Sequence, residues 1–233
     1  MSNLSNIFGT EQDRINCSFY LKIGACRHGD RCSRKHIKPQ FSQTIVLHNV
    51  YNNPGHTPEG QSMTNEELQA DFDRFYEDFF IELAKYGNLL EMIVCDNVGD
   101  HLLGNVYARF EFEAEASRAV QDLNNRWYAM RPLNAELSPV TDFRESCCRQ
   151  NELGECQREG FCNFMHLCHP TKTLVQGLQA SQRVSRRRAK RQAADANGGG
   201  DMGWTPGAVG GPDVGWMPPV ETSGNFGWMP GRV

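Results

Sequence analysis

The chain has 233 residues, room for one ordinary domain of about 100 to 200 residues and smaller modules besides. It is 39% hydrophobic, contains no run of 18 apolar residues and opens without the charged-then-apolar layout of a secretory signal, which argues against a membrane helix and predicts a soluble, intracellular protein. The net charge of −4 conceals zones: Lys and Arg lead Asp and Glu seven to three in residues 1–40 and ten to five in 141–192, while acids lead sixteen to six in 41–140, so the flanks suit a polyanion and the centre a basic partner.

In chain order, the first element spans 13–40 and carries Cys17-x8-Cys26-x5-Cys32-x3-His36. The arrangement returns over 145–169 as Cys156-x5-Cys162-x3-His166, preceded by two adjacent candidates for the first thiolate, Cys147 and Cys148. Ile23-Gly24-Ala25-Cys26 is answered by Leu153-Gly154-Glu155-Cys156, with glycine where the chain turns tightly before the second thiolate. Nine cysteines in a reducing compartment point to metal and away from disulfides. Three thiolates and one imidazole complete a tetrahedral Zn2+ shell with no position left for a reactive water, so two structural zinc ions are expected. Such small units have almost no core, and the metal supplies on the order of 10 kcal/mol of their folding free energy. Cys95 and Cys168 read as core or bystander thiols.

Between these fingers, 43–139 reads as β-α-β-β-α-β, an RRM-like order. The β-branched run 44–50 predicts the first strand. After a loop rich in Asn, Pro and Gly, Thr64-x-x-Glu67 has capping-box spacing, and Leu68, Phe72, Phe75, Phe79, Leu83 and Tyr86 then form one apolar helical stripe that stops at Gly87. Strands are expected at 89–96 and 104–112, a second helix at 113–123 and a last strand at 132–137. The fold class is α+β: a central RRM-like domain flanked by two small CCCH zinc fingers. Residues 171–192 are basic and predicted helical through Leu174 and Leu178. Their run Arg183, Arg186, Arg187, Arg188, Lys190 and Arg191 fits a nuclear import signal or a further phosphate contact. Residues 193–233 hold three Gly-Trp-x-Pro units, at Trp204, Trp216 and Trp228, and are too poor in core-forming residues to offset ordering entropy, which predicts disorder.

Around the ligands, the first finger offers Phe19, Tyr20, Lys22, Arg27, Arg31, Ser33, Arg34 and Lys35, and the second Arg149, Arg158, Phe161 and Phe164. Aromatics among cations suit single-stranded RNA, whose exposed bases stack while phosphates are neutralised. The middle domain reads differently. An RNA-binding sheet of this type carries three stacking aromatics, yet here the corresponding places hold Val46, Asn105 and Tyr107. One platform on an acidic domain repels phosphates, so a protein-binding role is expected.

Arg126-Trp127-Tyr128, between the second helix and last strand, resembles the Arg-x-Phe motif of U2AF homology motif domains, with Tyr128 for Phe. The resemblance implies that Glu77, with Asp73 and Asp78, forms an acidic helix face, Arg126 and Tyr128 a pocket wall for a partner's tryptophan, and Trp127 a reciprocal anchor. Residues 26–36, 95–101 and 135–145, in the order finger, homology motif, finger, resemble the small-subunit family of the U2 auxiliary factor over about residues 1–170. That similarity favours Cys148 over Cys147 as ligand and implies Phe19, Arg27, Ser33, Arg149 and Phe164 as RNA contacts. It further implies a nuclear, non-enzymatic splicing subunit that reads the AG dinucleotide of the 3′ splice site in single-stranded pre-mRNA, pairs with the U2AF large subunit through a Trp-containing peptide and helps recruit the U2 snRNP. Two other readings are a protein scaffold with purely structural fingers and a tandem-CCCH regulator of mRNA decay. The long gap between His36 and Cys148 argues against the latter.

Overall fold

The computed structural model of the chain describes residues 15–58 and 60–197. The Gly-Trp-x-Pro units expected to be disordered lie outside the described residues. The first finger contributes a short helix, α1 (Ser18–Ile23), closed by Gly24 at φ 74° with its N–H on the Tyr20 carbonyl. The β-branched run gives β1 (Thr44–Leu47), buried at every position. It ends before the predicted Val50 because Asn49 turns to φ 50° and bonds its N–H to the Asn105 side chain at 3.0 Å.

Thr64 caps α2 (Asn65–Ala84): its hydroxyl accepts the Glu67 N–H at 3.3 Å, while the Glu67 carboxylate accepts the Thr64 N–H at 2.8 Å. Next come β2 (Leu89–Cys95), β3 (Val106–Phe110) and α3 (Glu113–Leu123). The predicted last strand is shorter and preceded by a separate hairpin, β4 (Trp127–Tyr128) with β5 (Arg131–Pro132), before β6 (Ala135–Leu137). Ala129 and Met130 take φ 46° and 62°, the primed-turn backbone whose twist suits a two-residue hairpin. Two short helices, α4 (Phe143–Ser146) and α5 (Arg149–Glu152), lead into the second finger.

The sheet runs β6-β1-β3-β2 and gains a fifth strand the sequence did not announce, β7 (Leu167–Cys168), laid antiparallel on β2 directly after the second finger's histidine. Alternation sorts side chains onto two faces. Ile45, Leu47, Val106, Ala108 and Phe110 meet the aromatic stripe of α2 and the alanines of α3 in one core. Val46 and Tyr107 point the other way, into a second core with Ile23 of the first finger, Val140, Phe143 and Met165 of the second.

The last described element, α6 (Lys172–Asn197), begins as expected but runs five residues past the predicted boundary at 192. Leu174, Val175 and Leu178 pack it on the first core, and buried Gln182 pairs with Leu89, accepting its N–H at 3.1 Å and donating to its carbonyl at 3.0 Å. A first compact unit ends at Val184, within this helix. Among the described residues no helix is long and apolar enough to cross a membrane.

Candidate metal centres and nucleic-acid interface

The ligand atoms of Cys17, Cys26, Cys32 and His36 lie within 4.8 Å of one another, as do those of Cys148, Cys156, Cys162 and His166. Thiol sulfurs stand 3.8 Å apart in Cys26–Cys32, 3.7 Å in Cys148–Cys156 and 3.8 Å in Cys148–Cys162. A tetrahedron with metal–sulfur bonds of about 2.3 Å has edges of about 3.8 Å, so these donors fit Zn2+. The ring nitrogens His36 Nε2 and His166 Nε2 are buried without a protein partner, consistent with a metal taking the lone pair. The chain therefore holds two sites for structural zinc.

Backbone pairing decides between the adjacent cysteines. In the first finger Cys17 N–H bonds the Lys35 carbonyl at 2.9 Å and Lys35 N–H the Ile15 carbonyl at 2.8 Å; in the second, Cys148 N–H bonds Met165 at 2.9 Å and Met165 N–H bonds Ser146 at 3.0 Å. Cys148 is thus the counterpart of Cys17, and Cys147 that of Asn16. The thiol of Cys147 is buried instead, and desolvation pushes its pKa up to about 12. Burial likewise raises Cys95 and Cys168, which fits inert thiols.

The fingers sit side by side across the sheet. Ser146 donates to the Lys22 carbonyl at 2.5 Å, and the rings of Phe19 and Phe164 meet edge to face with centroids 6.2 Å apart. Gly24 makes this approach possible: a Cβ there would stand 2.5 Å from Ser138 Oγ and 3.1 Å from the Tyr107 ring. Beside Phe164 opens a cleft of about 480 Å³ that adjoins the second metal site: its wall holds the ligands Cys148 and Cys162, the cations Lys22, Arg144, Arg149 and Arg158, and one acid, Glu145. Arg144 escaped the sequence reading because it lies outside both ligand patterns. Arg27 and Ser33 are exposed on the first finger. Tyr20, expected among the displayed aromatics, is buried and stacks on the His36 ring at 4.5 Å and 7°. Its ring braces a ligand.

The sheet face that ordinarily stacks bases is closed. Val46, Asn105 and Tyr107 are at most 2% exposed, so even the aromatic position that sequence left open is covered by the fingers. Asn105 spends its amide internally, accepting from Asn49 and donating to the His101 carbonyl.

On the helical side, Tyr128 stands edge-on to Phe75 and Phe79 with centroids at 5.8 and 4.9 Å, and Trp127 at the hairpin is 65% exposed. Arg126 pairs with Glu82, bonds the Tyr86 hydroxyl at 3.0 Å and reaches Asp122 at 3.7 Å. The Glu82 carboxyl is raised by burial but lowered more by the Arg126 and Lys85 bonds, leaving it below the ordinary glutamate value. Glu82, Tyr86 and Asp122 were not singled out in sequence, although Tyr86 closes the apolar stripe. Glu77 and Asp78 are exposed on α2, whereas Asp73 has an intramolecular task, accepting from Thr171 N–H at 2.9 Å, from the Thr171 hydroxyl and from Gln69 at 3.0 Å.

The family described as zinc finger C-x8-C-x5-C-x3-H type (and similar) matches residues 12–38 and 142–167. The chain is 62% identical over 182 residues to the splicing factor U2AF 23 kDa subunit of Schizosaccharomyces pombe, covering 78% of this chain and 84% of that protein. It is 62% identical over 170 residues to the U2AF 26 kDa subunit of Mus musculus, covering 70% and 77%, and 56% identical over 191 residues to the U2af 38 kDa subunit of Drosophila melanogaster, covering 78% and 72%. With both metal centres and the covered sheet in place, the chain belongs to the U2AF small-subunit family of splicing factors.

Proposed function

We propose that the two fingers form one composite surface that reads the AG dinucleotide region of the 3′ splice site in single-stranded pre-mRNA. The supporting observation is the Phe19–Phe164 pair, whose Phe164 lines a cationic cleft, while the sheet's stacking positions lie under the fingers. The exposed Phe19 ring and the half-buried Phe164 ring supply stacking platforms and the surrounding Arg and Lys neutralise phosphates, an arrangement suited to unpaired bases. Arg27, Ser33 and Arg149 add donors for base edges or phosphates. The zinc ions hold the loops in shape; four protein ligands leave no open position for metal-bound water, and the role is binding without catalysis.

The helical side serves the U2AF large subunit. Exposed Trp127 and the Tyr128–Phe75–Phe79 cluster offer apolar contacts to a Trp-containing peptide, and Glu77 and Asp78 attract its basic residues. Asp73, held by Thr171, contributes charge to that face while anchoring α6. Through this pairing the protein acts in the nucleus and helps bring the U2 snRNP to the intron end.

Titration calorimetry of a short UAGG-containing RNA against Arg27→Ala and Arg149→Ala tests the composite surface. Each change is expected to cost about 1 to 3 kcal/mol, or roughly 5- to 150-fold in Kd. Unchanged affinity in both variants defeats the proposal, and a Trp-containing peptide that binds Trp127→Ala as well as the parent defeats its second half.

A further inference from the structure

The two fingers share ligands and a common core on the sheet, but their ligand loops are supported differently. The stretch 162–166, from the third cysteine to the histidine of the second finger, is largely covered, whereas its counterpart 32–36 is largely exposed. The cover is the tract 96–99, just after β2. Asn97 is fully buried there; its amide donates to the Cys162 carbonyl at 3.2 Å and the Phe164 carbonyl at 3.0 Å, while its Oδ1 accepts the His166 N–H at 2.9 Å. On either side, Asp96 N–H bonds the His166 carbonyl at 2.8 Å, and Val98 and Gly99 N–H groups reach the Gly160 carbonyl at 2.8 and 3.2 Å. Gly160 lies so close that a Cβ would stand 2.5 Å from the Val98 side chain. Among the described residues, no side chain of the central domain bonds to 26–36 of the first finger; that loop is tied by its own backbone and by the Tyr20–His36 stack.

We propose that Asn97 is a positioning residue for the second zinc loop, so that the central domain templates this loop in its metal-binding shape, while the corresponding loop 26–36 of the first finger, which rests on the domain through the preceding Ile23 and Ala25, takes its shape from its metal. The chemistry demands asparagine. Two carbonyls need donors and one N–H needs an acceptor, all from a single short head group; aspartate has no donors, and glutamine is one methylene too long. By fixing the backbone that carries Cys162 and His166, Asn97 orients ligands as outer-shell partners of ligating side chains do, and loss of such partners costs about 10- to 100-fold in metal affinity. Because one of the carbonyls belongs to Phe164, the template also aims a ring that the proposed RNA reading uses; that consequence alone rests on that reading.

The test is pulsed iodoacetamide labelling of the full chain loaded with zinc and then exposed to excess chelator, with peptide mass spectrometry separating Cys26 and Cys32 from Cys156 and Cys162. In the unaltered protein the first-finger thiols should label first. Asn97→Ala should speed labelling of Cys156 and Cys162 by about 10- to 100-fold and leave Cys26 and Cys32 within about twofold. Gly160→Ala, which presses the same contact from the finger's side, should give the same selective pattern and guards against a poorly folding Asn97 variant. Equal acceleration in both fingers, no acceleration in either variant, or second-finger labelling first in the parent overturns the proposal. If the selective pattern appears while UAGG affinity is unchanged, the template stands and the assigned Phe164 contact with RNA fails.

Discussion

Replacing Tyr107 with leucine separates a sheet that touches RNA from one that supports the fingers. The ring is fully buried and stands edge-on to Phe143, with centroids 6.3 Å apart at 68°. Losing that pairing costs about 0.5 to 1.5 kcal/mol, and the void left by the smaller side chain adds about 1 kcal/mol. Tyr107→Leu should therefore be destabilised by about 2 kcal/mol, lowering Tm by about 4 to 8 °C for a chain of this size. A base stacked on this ring would contribute about 1 to 3 kcal/mol, so its loss would weaken RNA binding roughly 5- to 150-fold. The covered position predicts no such loss. Calorimetric titration with a UAGG-containing RNA should give a Kd within about twofold of the parent. A fall of about fivefold or more, in protein that retains both zinc ions, refutes the argument that the sheet is closed to RNA.

Gly24 and Gly154 share φ 74°, but only Gly24 has neighbours where a Cβ would go. Gly154→Ala should cost about 1 to 2 kcal/mol for the left-handed backbone, Gly24→Ala distinctly more, and urea unfolding of the pair measures the difference. Glu82 is held below its ordinary pKa, so the stability it contributes is complete above the unfolded-state value and fades as pH falls through the folded one. Arg126→Ala should lower stability at neutral pH by about 1 to 3 kcal/mol, and acid titration followed by circular dichroism should show the gap to the parent narrowing as the carboxyl protonates. Gln182→Leu leaves the Leu89 N–H and carbonyl without their side-chain partner, a loss of about 1 to 3 kcal/mol. Hydrogen exchange should then rise along α6, and the metal content should stay at two zinc ions.

Much of the architecture was legible because its causes are local. The Thr64–Glu67 capping box, the aromatic stripe of α2 and the helix over 113–123 each depend on neighbours three or four residues away, so they can be read along the chain. Paired ligand spacings likewise announce two metal centres, since the geometry of a tetrahedron is imposed by zinc and needs no knowledge of the rest of the fold. Residues in the middle of the finger pattern were harder. Tyr20 reads as a displayed aromatic, but the chain closing on zinc lays it flat against His36.

Strand β7, the Asn97 clamp and the Arg126–Glu82 pair were not legible, because each joins segments far apart in the chain. Asn97 to His166 spans 69 positions and Arg126 to Glu82 spans 44, and no periodicity connects them. Sequence alone determined the two long helices of the central domain, which strands alternate and all but one of the side chains that hold metal, for these follow from nearest-neighbour stereochemistry and ligand preference. The linkers 37–42 and 140–147 are short enough to hold both fingers against the sheet and leave the helical side for a partner, but only the tertiary structure decided the contacts: the fingers bury their few apolar residues where Val46 and Tyr107 already point, and that packing moves the exposed aromatics from the sheet to the loops.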